Sequence, residues 1–293
     1  MLQGTANHGI ENILVPTDFS PASAIALEYA LAIAKLMRAT VTVYHGYEIM
    51  AGLANEDYEP SIKQKMAGTQ ADLEEKLKFF VEPYLNTSYG LGGGTVEMQT
   101  LVKLGAITKE IAKMTDDNAY DLVVMGTKGT SGVNEVMFGS VAGSIVDIVK
   151  CPMLVVPEKA VLTEIDLIAY GTNFEKADTI VIDELIEWAG YFNHARIDCL
   201  HINTNASQST VKQQKLEELA KQYEDVKNLH FTLLEDNSVT QGLDNYMAGK
   251  QPDMMAVLRR EKTFLEKIFK TSVSNKLTFH SKVPVLILKT MKG

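Results

Sequence analysis

Cysteine is almost absent from this 293-residue chain, where only Cys151 and Cys199 occur. Two cannot build a disulfide framework or a Cys-rich zinc site. Their apolar settings, VKCPMLVV and RIDCLHI, read as small core residues. Long hydrophobic runs are missing as well, and none approaches the ~18 residues of a membrane-spanning helix. The opening MLQGTANHGIENILVP has no basic segment leading into an apolar stretch, so a cytoplasmic protein with no membrane partner is expected. Positive charge is in deficit. Twenty-eight Lys and Arg against 37 Asp and Glu give a net charge of −9, which disfavours the phosphate neutralisation on which nonspecific nucleic-acid binding rests. Six dispersed histidines supply no His/Cys cluster of metal-ligand spacing. The patterns G-x-x-x-x-G-K-[ST], H-E-x-x-H and G-x-S-x-G do not occur. GLGGG (90–94) is followed by Thr95 and an expected strand, so it is not a dinucleotide fingerprint.

What the chain does contain is itself, twice. ENILVPTDFSPASAIALEYALAIAKLMRATVTVYHG near the start matches EIDLIAYGTNFEKADTIVIDELIEWAGYFNHARIDCLHI after the midpoint. Each half has a short apolar strand, a turn ending Asp18-Phe19 or Asn173-Phe174, a helix, and a second strand ending Tyr44-His45 or Leu200-His201. The ends also match, VKCPMLVVP (149–157) against SKVPVLILK (281–289). The boundary falls near Glu158–Thr163, giving domains 1–158 and 159–293.

Within each copy apolar strands alternate with amphipathic helices. In the first, strands are expected at Ile13–Val15, Val41–Tyr44, Val96–Val102, Asp121–Met125 and Met153–Val156. Helices are expected around Ile25–Met37, Leu73–Tyr84, Ala106–Met114 and Ser140–Val149. The second copy gives strands near Ile165–Ala169, Ile197–His201, Leu229–Leu234, Met254–Leu258 and Val285–Leu288. Its helices carry Val181, Leu185, Trp188 and Phe192, then Leu216, Leu219, Tyr223 and Val226. Strands apolar on both faces predict an α/β fold: two tandem doubly wound, Rossmann-like domains, each with a five-stranded parallel sheet. Ligands of such sheets bind beyond the carboxyl ends of the strands, at the topological switch point. The loops after strands one and four are therefore the place to look.

Strand four of the first copy runs into MGTKGTSGVNEVMFGSVAGS. Gly126 ends the strand, Gly129 follows, and Gly139-Ser140 opens a helix. Glycine lets a ligand approach the backbone without meeting a Cβ, and the unpaired N–H groups of a helix N-terminus suit phosphate. This Gly-x2-Gly-x9-Gly-Ser spacing, together with VPTDFS after strand one, closely resembles the ATP-binding class of universal stress proteins, and the resemblance extends over nearly the whole chain as two tandem copies. It implies an adenine nucleotide alpha hydrolase-like fold, with ATP, AMP or another adenine nucleotide across the ends of strands one and four and Mg accompanying the phosphates. By motif, Gly126, Gly129, Gly139 and Ser140 would hold phosphates and ribose, with backbone N–H groups from Val141 and Ala142. Asp18 would lie beside adenine and ribose, Pro16 and Thr17 would shape the same wall, Gly46 would meet adenine through its backbone, and Met125 would line the pocket. Lys128, inside the loop, is within reach of a phosphate but is not specified by the motif. Ser20, preceding Pro21, is the expected helix cap, which would leave Asp18 to the ligand. His45 and His201 read as structural histidines.

The second copy has lost the pattern. Leu258 stands at the place of Gly126, Glu261 at that of Gly129, Thr271-Ser272 at that of Gly139-Ser140, and Asn173 at that of Asp18. Side chains there obstruct close approach and Glu261 repels a triphosphate, so one nucleotide per chain is expected. Arg259, Arg260, Lys262, Lys267 and Lys270 in this segment read as a solvated helix face. The family also implies that the last strands, Met153–Val156 and Val285–Leu288, pair the copies into an intrachain pseudo-dimer, with a further homodimer and an unidentified protein partner open. The functional reading is an ATP-binding regulatory protein with no catalytic residue assigned. A slow ATPase or autokinase, with Thr130, Ser131 or Ser140 as acceptors, and a ligand-free scaffold are the alternatives.

Overall fold

The computed structural model describes residues 9–48, 60–85, 95–116, 119–127, 140–259 and 282–289. They fall into two compact units that divide between Met153 and Leu154.

In the first copy, β1 (Asn12–Pro16), β2 (Thr40–Tyr47), β3 (Met98–Leu104), β4 (Leu122–Gly126) and β5 (Met153–Val156) take the spatial order β3-β2-β1-β4-β5. The pairs β1–β2, β1–β4 and β2–β3 are parallel. The chain thus steps outward from β1 to β3 and then returns to the other side of β1. That reversal is the switch point, and it lies between β1 and β4. Four helices make the crossovers: α1 (Pro21–Met37), α2 (Pro60–Leu85), α3 (Ile107–Asp116) and α4 (Ser140–Ile148).

α1 begins where Ser20 caps it, the Ser20 hydroxyl accepting the Ser23 N–H, with Pro21 supplying a preset φ in the first turn. Its buried face carries a row of alanines: Ala22, Ala26, Ala30 and Ala34 recur every fourth residue and are 0–2 % exposed. Small side chains at that spacing bring the helix backbone close to the sheet. Arg38, left-handed at φ 58°, ends it.

The second copy repeats the plan. β6 (Leu167–Gly171), β7 (Arg196–Asn203), β8 (Leu229–Glu235), β9 (Met254–Leu258) and β10 (Val285–Leu288) take the order β8-β7-β6-β9-β10, and every adjacent pair is parallel. Its helices are α5 (Lys176–Tyr191), α6 (Ser209–Gln222) and α7 (Val239–Lys250). Small details repeat as well. Asp121, just before β4, accepts the N–H groups of Glu11 and Asn12 at 3.0 and 2.9 Å. Asp253, just before β9, accepts those of Asp166 and Leu167 at 3.0 Å each.

Three sequence expectations need correction. The helix containing Leu216 and Leu219 ends at Gln222, so Tyr223 is its cap and Val226 lies in the turn beyond. α7 went unread because VTQGLDNYMAGK offers few apolar positions, although Ser238 caps it and Gln251 closes it in the left-handed region. The first strand of this copy is Leu167–Gly171, shifted from Ile165–Ala169. The segment GLGGG lies outside the described residues.

Candidate functional site

Thr17, directly after β1, organises the first half of the crevice. Its N–H donates to the Tyr44 carbonyl at 2.8 Å, and its own carbonyl lies 2.8 Å from His45 Nδ1. A carbonyl only accepts, so His45 carries a proton on Nδ1. The Thr17 hydroxyl accepts the Phe19 N–H at 3.0 Å and bonds to the Ser23 hydroxyl at 2.8 Å. This pinched turn drives Phe19 into the left-handed region at φ 64° and sets its ring on His45, centroids 4.4 Å apart, with Lys76 Nζ 4.2 Å from the ring centre. Such backbone strain persists only where neighbours over-determine it.

The second copy builds the same turn. The Thr172 N–H donates to the Leu200 carbonyl at 2.9 Å, its carbonyl meets His201 Nδ1 at 2.8 Å, and its hydroxyl accepts the Phe174 N–H at 2.9 Å. Phe174 has φ 55°. The two histidines are therefore structural pins. Burial pushes the His201 imidazole below its ordinary value, keeping it neutral in that role.

Pro16 and Thr17 are buried at the root of the crevice and Asp18 is half-buried above them. The expectation that Ser20 leaves Asp18 disengaged is corrected: Asp18 Oδ1 accepts the Ser20 N–H at 3.0 Å. Gly126 and Met125 end β4 beside β1, the register from Ile13–Leu122 carrying Gly126 opposite Thr17. A Cβ on Gly126 would lie 2.8 Å from both the carbonyl carbon and oxygen of Ala22. Packing of α1 alone therefore requires glycine here. In the second copy the register places the buried Leu258 opposite Thr172, which supports the alignment of Leu258 with Gly126. Ser140 and Val141 open α4, and Ala142 follows, buried. Lys128, Gly129 and Gly139 lie outside the described residues, as do Thr130, Ser131, Arg260, Glu261, Lys262, Lys267, Lys270, Thr271 and Ser272.

On the other side of the crevice the resemblance pointed to Gly46 alone. A Cβ on Gly46 would stand 2.6 Å from the Tyr44 hydroxyl and 3.4 Å from Ile107 Cβ. Gly105 nearby has φ 145°, and a Cβ there would meet the Glu110 side chain at 3.1 Å. Glu110 lies 3.6 Å from Lys103. Tyr44 is buried, and its hydroxyl is pushed up to about 12 by loss of solvent and then by the Glu110 charge. In the second copy Leu200 takes the place of Tyr44 and Ile202 that of Gly46. Three residues into α7, where α3 has Glu110, stands Gly242, and a Cβ on it would collide with Ile202 Cγ2 at 2.7 Å. The glycine has changed element: Gly46 on the strand faces Tyr44 and Ile107 in one copy, and Gly242 on the helix faces Ile202 in the other. The signal in the sequence was the alignment of Tyr44-His45 with Leu200-His201, which sets Ile202 on Gly46.

Among the described residues, no group of three or more His, Cys, Asp or Glu side chains is placed to hold a metal, and no helix is long and apolar enough to cross a membrane.

The two doubly wound repeats and their paired switch points define a class of tandem α/β proteins, and sequence comparison gives the family. The universal stress protein family matches residues 9–157 and again 168–289, and the chain belongs to it. It is similar to a universal stress protein of Methanocaldococcus jannaschii, 25% identical over 165 residues, covering 51% of this chain and 96% of that one. The crystal structure of a universal stress protein from Archaeoglobus fulgidus DSM 4304 shares the fold along 95% of this chain and 96% of its own, with TM-score 0.65 and 15% identity. A universal stress protein solved in complex with cAMP covers 51% of this chain and 98% of its own at 19% identity and TM-score 0.33.

Proposed function

We propose that the chain is a nucleotide-binding regulatory protein that takes one adenine nucleotide, ATP in the first instance, in its first copy. The observation that carries this reading is the difference between the two switch points. Where the first copy has glycine, at 46 and 126, the second has Ile202 and Leu258.

The residues of the first copy suit such a ligand. Pro16, Thr17 and Asp18 would form one wall and Gly46 the backbone contact to the base, with Met125 lining the floor. Gly126, Gly129, Gly139 and Ser140 would take ribose and phosphates, with N–H groups of Val141 and Ala142 at the start of α4, where unpaired donors and a partial positive charge favour an anion. Lys128 would add a charge. Mg would be held by the phosphates, the described residues offering no protein cage for it. AMP or another adenine nucleotide would use the same base contacts.

With boundaries at 1–158 and 159–293, one loaded and one degenerate copy make an asymmetric unit suited to regulation: nucleotide shifts the chain between states by binding one better than the other. Pairing of the copies through their last strands, a homodimer and a protein partner that reads the loaded state belong to the same proposal.

Native mass spectrometry of the gently purified chain, with and without millimolar Mg-ATP, tests it. One adenine nucleotide per chain is the expected result. Two would mean that Ile202 and Leu258 do not close the second copy, and none would leave a ligand-free scaffold.

A further inference from the structure

Three buried polar atoms among the described residues lack a hydrogen-bond partner, the Tyr44 hydroxyl, His230 Nδ1 and Asp244 Oδ1, and of these only Tyr44 belongs to the first copy. The Tyr44 hydroxyl is shut away from solvent and has no hydrogen-bond partner. A buried unpaired hydroxyl is a standing loss of stability, and phenylalanine would fill the same space without it. The hydroxyl sits at the carboxyl end of β2, against Gly46 and under the electrostatic influence of Glu110. The second copy treats the corresponding place differently at every position. Leu200 replaces the tyrosine, Ile202 replaces Gly46, and Gly242 replaces Glu110, leaving an apolar contact between Ile202 and α7. The polar set has been kept where the glycine motif is intact and removed where it is lost.

We infer that Tyr44 and Glu110 are the base-reading side chains of the first copy: the tyrosine hydroxyl is a donor held in reserve for a ring nitrogen or carbonyl of the nucleobase, and the Glu110 carboxylate is the acceptor for an N–H beside it. The inference rests on the nucleotide reading above and adds to it two side chains outside the glycine motif. Lys103 Nζ lies 3.6 Å from the Glu110 carboxylate and is its ion-pair partner while no base is present. A nucleobase edge that alternates donor and acceptor is the chemistry such a pair complements. Because the hydroxyl is covered in the free chain, its engagement requires a local shift as the base enters, and Glu110, one-quarter exposed, is the partly open member of the pair.

The test is Tyr44→Phe and Glu110→Gln in the full chain, read in two ways: affinity for ATP by calorimetric titration, and the thermal midpoint of the nucleotide-free protein. Tyr44→Phe is expected to bind ATP about 3- to 10-fold more weakly, the worth of one hydrogen bond, while its nucleotide-free midpoint is equal to or above that of the parent. Glu110→Gln is expected to lose a similar factor. A lowered midpoint in Tyr44→Phe would show a hydroxyl serving the fold and would overturn the inference, as would ATP binding equal to the parent in that variant. Failure of the parent chain itself to bind ATP would overturn the nucleotide reading and this one with it, and so is distinguishable from failure of Tyr44 alone.

Discussion

Gly126 shows how a single hydrogen in place of a methyl group decides the approach of a helix to a sheet. The position its Cβ would occupy is 2.8 Å from backbone atoms of Ala22, which cannot move without shifting the first turn of α1. Gly126→Ala should therefore destabilise the protein by about 1–3 kcal/mol through overpacking, seen as a lower urea midpoint with unchanged slope. Glu184 offers a second test at this scale. Burial, then the neighbouring Glu187, raises its carboxyl to about 7 in the folded protein, from 4.5. Between those two values the folded chain holds a proton that the unfolded chain has released. Its stabilising contribution is full below pH 4.5 and is lost as pH rises to and through 7. Glu184→Gln should remove that slope and leave the protein more stable than the parent at pH 8, by about 2 kcal/mol, measured by denaturant titration at pH 4.5, 6 and 8.

Elements carry a different kind of information, and here the sequence was unevenly readable. The strands of the sheet centres were plain because parallel strands are apolar on both faces: Met153–Val156, Met254–Leu258 and Val285–Leu288 stand as expected. α7 was hidden because half of its surface is polar and one of its close approaches to the sheet is made by glycine, which has no apolar signal. Of the candidate site, the turn after β1 and the end of β4 could be located from their motif. Gly46 was located by the same resemblance, but Tyr44 and Glu110 were not, since their meaning depends on what fills the space between two elements. How that space is filled can be measured. Gly242→Ala places a methyl 2.7 Å from Ile202 Cγ2 while adding helix propensity, two opposed effects. In an Ile202→Ala background the clash with Cγ2 is gone, and the propensity gain of up to ~1 kcal/mol is opposed only by the contact with Asp236 Cβ at 3.1 Å. A double-mutant cycle should therefore give a coupling of about 1 kcal/mol or more. Additive effects would mean that α7 and β7 do not share this space.

For the whole molecule the central expectation is that the two copies respond unequally to one ligand. ATP at 100 times its dissociation constant should stabilise whatever binds it by about 2.7 kcal/mol. Hydrogen exchange should then slow by a factor of about ten or more in β1, β2 and β4 and remain unchanged in β6, β7 and β9. Equal slowing in both sets would indicate either a second occupied site or a strong coupling of the copies, and the stoichiometry by mass would tell these apart. The acidity of the chain, −9 overall, makes the location of any anion site depend on local donors such as the start of α4 rather than on a general attraction.

The contact between Ile202 and Gly242 also has a bearing on which changes a duplicated copy can accept. After a duplication the two copies begin alike and each is free to drift. Once an isoleucine occupies the strand and a glycine the helix, neither step back is open alone: a glycine at 202 leaves a hole facing Gly242, and a glutamate at 242 runs into Ile202. In the second copy a larger side chain at 242 therefore becomes acceptable only after a smaller one stands at 202.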